Sequence, residues 1–98
     1  MKDHERTQLS YVAQALVRVP AAQWPSILKD AEHGLDESSS LFEALQAIRA
    51  ATQKHLDLKR VANSLVESEE ESAVTAGRVL LWSLAQLSSQ AHESAPLH

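Results

Sequence analysis

Ser40-Leu41-Phe42-Glu43-Ala44-Leu45-Gln46-Ala47-Ile48-Arg49-Ala50-Ala51 is the stretch whose reading decides the fold. Ser40 and Glu43 stand at the Ser-x-x-Glu spacing of a capping box, which satisfies orphan amides at a helix start. Behind them Leu41, Ala44, Ile48 and Ala51 recur in steps of three and four, and the steps continue through His55, Leu58, Ala62 and Leu65. That period gathers these side chains on one side of an α-helix. A second box, Ser68-Glu69-Glu70-Glu71, opens a run in which Ala73, Gly77, Leu80, Leu84, Leu87 and Ala91 repeat the pattern. Apart from Gly77, neither run contains glycine or proline. Helices are therefore expected over 41–66 and 69–92, each roughly 35–40 Å long. The short link between them predicts an antiparallel hairpin with heptad-like seams. Leu41, Leu45, Ile48, His55, Leu58, Leu65, Leu80, Leu84 and Leu87 are its expected hairpin or dimer core.

Two shorter helices precede the hairpin. Leu9, Val12, Leu16 and Val19 mark an amphipathic helix over 4–19, with Asp3 as N-cap and Glu5 in the first turn. Pro20 ends it, because the residue before a proline is turned away from helical dihedrals. Ala21, Trp24, Ile27, Leu28 and Ala31 predict a second helix over 21–33. Pro25 would lack a needed amide in its interior, so a 3₁₀-like or kinked start is expected, with regular helix from about Pro25. Gly34 is a cheap left-handed stop. The whole is expected to be one all-α domain, residues 1–92, followed by a frayed tail over 93–98 that contains Pro96.

Composition closes off most chemistry. The chain has 98 residues, 44% hydrophobic, with two glycines and no cysteine. It offers no disulfide framework and no thiolate nucleophile or ligand. Its net charge of −4 argues against a protein that coats nucleic acid. No apolar run approaches the roughly 20 residues of a membrane span, and the charged N-terminus does not read as a signal peptide. A cytoplasmic setting is expected.

The histidines are the first enzymatic suspects, but no His-Glu-x-x-His spacing occurs. His4, His92 and His98 lie near the chain ends, and His33 suits the C-terminal dipole of the second helix. His55 falls on the seam. A histidine hydrogen-bonded inside a bundle is the plainer reading there; a register-fixing or pH-sensitive dimer contact is the sharper one. Ser40 and Ser68 read as caps, because no glycine-flanked serine elbow exists. The run Glu67, Glu69, Glu70 and Glu71 reads as a solvated helix start. No catalytic, cofactor or metal site is expected.

What remains is surface. Leu45, Leu56, Val61, Val66, Val74, Val79, Leu81 and Trp82 widen the apolar stripes beyond what a lone hairpin hides. The first two helices cover part of this surplus, and a homodimer is expected to cover more. Trp82, Leu81 and Val74 are the candidate partner-binding patch, with Trp82 as anchor. Arg49 and Arg60, in a stretch that also holds Lys54 and Lys59, are candidates for meeting an acidic partner face. No aromatic residue is interleaved with these cations, which speaks against single-strand nucleic-acid binding.

The segment Leu16-Val17-Arg18-Val19-Pro20-Ala21-Ala22-Gln23-Trp24-Pro25-Ser26-Ile27-Leu28-Lys29-Asp30-Ala31 resembles the N-terminal part of the TraM-type quorum-sensing antiactivators. The shared pattern falls on Pro20, Ala22, Trp24, Ser26, Ile27, Asp30 and Ala31. A later Leu-Phe-x-Ala-Leu falls on Leu41, Phe42, Ala44 and Leu45. The resemblance covers residues 9–45, departs in the spacing between its two blocks, and has Pro25 where a helix-friendly residue is expected. It implies a helical, dimeric cytoplasmic protein that binds a LuxR-type transcription activator and keeps it from DNA. The expected function is thus a non-enzymatic negative regulator acting by sequestration, without direct nucleic-acid or membrane binding. A secretion-type chaperone or adaptor forming a helical dimer is the alternative.

Overall fold

The computed structural model describes residues 2–94, and the side chains of residues 2–88. It is all-helical: α1 (Asp3–Arg18), a 3₁₀ turn (Ala21–Gln23), α2 (Trp24–Glu32), α3 (Ser40–Lys54), α4 (Leu58–Val66) and α5 (Glu71–Ser94). The breaks signalled by Pro20 and Gly34 read directly in the backbone. Val19 is extended before the proline, the 3₁₀ turn precedes α2, and Pro25 occupies the first turn of α2, where its missing amide costs little. Gly34 takes φ +81° and turns the chain out of α2.

The expected continuous helix over 41–66 is corrected. It is two helices, broken at His55-Leu56-Asp57. His55 is extended and ends α3, its amide donating to the Ala51 carbonyl. Asp57 then starts α4, its carboxylate accepting from the Lys59 amide at 2.9 Å. The buried stripe survives the break because the chain turns while the apolar spacing continues. Leu41, Ala44, Leu45, Ile48 and Ala51 of α3 and Leu58, Val61, Ala62 and Leu65 of α4 all reach one core. Two short helices lay their stripes on the same body from two directions; one straight rod would carry half of its stripe past it.

The caps are also displaced. Ser39, not Ser40, caps α3, its hydroxyl accepting from the Phe42 amide at 3.1 Å. The Ser68 hydroxyl accepts from the Glu70 amide at 3.1 Å, and α5 starts at Glu71 rather than Glu69. Lys2, not Asp3, flanks the start of α1, and the Glu5 carboxylate accepts from its amide at 3.0 Å. The other Glu5 oxygen accepts from the Leu41 amide at 3.2 Å, so one carboxylate ties together the starts of α1 and α3. The Ser72 hydroxyl donates to Glu43 at 3.2 Å. These bonds gather the starts of α1, α3 and α5 at one end of the bundle.

α5 packs against α1, α3 and α4. Its side of the core is Ala73, Ala76 and Leu80, joined by Leu9, Ala13 and Leu16 of α1 and by Trp24 and Leu28 of α2. Small residues let α4 and α5 approach closely. A Cβ on Gly77 would stand 2.7 Å from the Ala62 carbonyl oxygen and 2.9 Å from the Val66 nitrogen. α4 and α5 thus pack against each other, with α4 shorter than the arm the sequence suggests. Residues 95–98 of the expected tail lie outside the described residues.

Candidate partner-binding surface

The two tryptophans part company. Trp24 is 5% exposed, and its indole N–H donates to the Leu16 carbonyl at 3.1 Å. That carbonyl lies in the last turn of α1, where no intrahelical amide follows to satisfy it. Trp24 thus fills the core and closes the end of α1 across the Pro20 turn. Trp82 is 49% exposed. It lines a cleft of about 160 Å³ between α1 and α5, with Gln14, Val17, Arg18, Ser83, Gln86 and Leu87.

Ser83 gives this cleft its one buried polar feature. The residue is 2% exposed, and among the described residues its hydroxyl has no hydrogen-bond partner. A buried hydroxyl without a partner costs free energy, so this position is held against a local penalty. Around it are the half-exposed indole, the partly buried Val17 and Leu87, which is 36% exposed. The cleft offers an apolar wall, an amide on each side (Gln14 and Gln86), and one cation, Arg18.

The expected patch of Trp82, Leu81 and Val74 is corrected: they do not form one exposed surface. Successive helix positions diverge by about 100°. Leu81 is partly buried against the core, and Val74 is half-buried. Only Trp82 of the three is an exposed large side chain. Besides Ser83, Gln86 and Leu87 of α5, the residues that accompany it are Gln14, Val17 and Arg18 of α1, which the sequence reading missed. The signal was available in Val17, an apolar residue beside the Leu9/Val12/Leu16 stripe.

Of the expected core set, Leu41, Leu45, Ile48, Leu58, Leu65 and Leu80 are buried. Leu84 packs partly buried against the same cluster. Leu87 is on the surface, and His55 is a half-buried helix terminus rather than a seam residue. Arg49 is drawn inward: its Nη2 donates to Glu32 Oε2 at 2.8 Å, pinning α3 to α2. Arg60 stays exposed beside the break, lining a shallow concavity of about 470 Å³ with Lys54, His55, Leu56 and Asp57. Leu56 is 82% exposed. A third concavity, of about 300 Å³, lies between Tyr11, Val12, Ala31, His33, Leu35, Leu41, Leu45 and Gln8.

Hydrogen bonds perturb the carboxyls of Glu5 and Asp36. Glu5 is held below the ordinary glutamate range, chiefly by the Lys2 amide and further by the Leu41 amide. Asp36 is lowered by the amide and hydroxyl of Ser38, in the turn before α3. Among the described residues, no group of three or more His, Asp or Glu side chains is placed to hold a metal ion. Among them too, no helix is long and apolar enough to cross a membrane. No protein-family model, curated protein or solved structure matches the chain.

Proposed function

We propose that the chain is a protein-interaction module, a negative regulator that sequesters a transcription activator of the LuxR type and blocks its binding to DNA. The observation that carries the interaction reading is Trp82. A half-exposed indole at the mouth of a cleft, with Leu87 and Val17 beside it and polar amides at its rim, has the makeup of an interface anchor. The activator as target rests on the resemblance of residues 9–45 to the TraM-type antiactivators. Homodimerisation belongs to the same proposal and rests on the same resemblance.

The test is a mobility shift with a purified LuxR-type activator of the source organism and its operator. The full-length chain at equimolar concentration is expected to abolish the activator–DNA complex without binding the operator itself. An activator that still shifts its operator under a large excess of the chain rules out the sequestration reading.

A further inference from the structure

The break between α3 and α4 is a second surface, unconnected to the Trp82 cleft by any shared residue. It consists of Lys54, His55, Leu56, Asp57, Lys59 and Arg60. Leu56 is the most exposed large apolar residue described, at the tip of the turn, and makes no part of the core. Lys54, Lys59 and Arg60 are all exposed, and among the described residues none of them forms an ion pair. The one carboxylate present, Asp57, already accepts from the Lys59 amide as the cap of α4. Lys54 and Arg60 thus line one concavity with Leu56, and Lys59 stands next to Arg60 in the first turn of α4, in a chain whose net charge is −4.

We propose that this corner docks an acidic segment of a protein partner, with Leu56 as the apolar contact and Lys54, Lys59 and Arg60 as the charge-matching rim. Charge complementarity selects the occupant: the local excess is positive, and it is set against an acidic remainder that repels acidic surfaces elsewhere on the molecule. A nucleic acid fits less well. It would gain from many phosphate contacts and from stacking, whereas the corner has three cations, no aromatic side chain, and an arginine nearby, Arg49, already committed to Glu32. An anionic bilayer would meet the same few cations and the same net negative charge behind them. The break itself has a use on this reading. A continuous helix would have kept position 56 in register with its neighbours, while the turn projects it away from the body.

The experiment is an amide-resolved NMR titration of the full-length chain with a synthetic peptide of glutamates and aspartates flanking two leucines. Parallel titrations use phosphatidylserine-containing vesicles, a random DNA duplex and the chain alone at rising concentration. Shifts are expected to cluster over residues 54–60 with the peptide. Lys54→Glu/Arg60→Glu is expected to weaken peptide binding by about tenfold or more, and Leu56→Ser by about threefold or more. Raising salt from about 50 to about 300 mM should also weaken it. These exposed positions leave helicity unchanged by circular dichroism, and Trp82→Ala leaves the peptide affinity unchanged, which separates this surface from the cleft. The proposal is overturned by no shifts over 54–60 at millimolar peptide, by equal binding of the charge-reversed variant, or by shifts there with vesicles, DNA or a second copy but not with the peptide.

Discussion

Glu5 shows how much one side chain can organise. Its two oxygens accept from the Lys2 and Leu41 amides, 36 positions apart in the second case. Hydrogen bonds to the charged form lower a carboxyl's pKa, so the sign of the linkage is fixed. The contribution of Glu5 is fully present above the ordinary glutamate pKa and is lost as pH falls through its lowered folded value. Glu5→Gln is expected to be less stable than the parent near neutral pH, with the gap closing in acid. Urea unfolding across that range checks it; a gap independent of pH would show that the carboxylate charge is not what ties the two helix starts. Trp24 makes a similar bridge with its indole N–H. Trp24→Phe keeps most of the packing but leaves the Leu16 carbonyl without its donor, for an expected loss of about 1–3 kcal/mol in unfolding free energy. Its spacing with Ile27, Leu28 and Ala31 puts Trp24 on the apolar face of α2, but spacing does not separate a core residue from an interface residue. The bond to Leu16 was not legible in the sequence, because it depends on how tightly Pro20 folds α2 back on α1.

At the scale of elements, apolar spacing fixed the number of stripes but not the number of helices. Ala51, Leu58, Ala62 and Leu65 stay in phase across the break at 55–57, so periodicity passes over it silently. Glycine and proline, the usual punctuation, are missing there. Asp57 was the one signal, a good N-cap residue inside an apparently helical run. Asp57→Ala is expected to cost about 0.5–2 kcal/mol, the usual range for a lost N-cap. Between α4 and α5 the controlling residue is Gly77. Alanine there would gain up to about 1 kcal/mol in helix propensity. Against this stands a Cβ 2.7 Å from the Ala62 carbonyl and 2.7 Å from Val66 Cγ2, an overpacking that typically costs about 1–3 kcal/mol. Ala62 is backbone and cannot swing aside, so Gly77→Ala is expected to destabilise. A stabilised variant in chemical denaturation would mean that the two helices are not so close.

For the whole molecule, five α-helices bury one apolar cluster and leave separate features outside it: the Trp82 cleft and the Leu56 corner. Legibility in the sequence was uneven here. Trp82 was identifiable because it leaves the Gly77/Leu80/Leu84/Leu87 line. Its neighbours Gln14, Val17 and Arg18 were not, since they belong to a helix far away in the chain. The proposed dimer has its own test: the mass in solution by sedimentation equilibrium is expected to be that of two chains at micromolar concentration, and a single-chain mass would remove it. The central claim, that Trp82 serves a partner rather than the fold, is tested most directly by Trp82→Ala in paired measurements of activator binding and unfolding. Affinity is expected to fall by about tenfold or more, with unfolding free energy changed by less than about 1 kcal/mol. Unchanged affinity, or a chain that no longer folds, would contradict it.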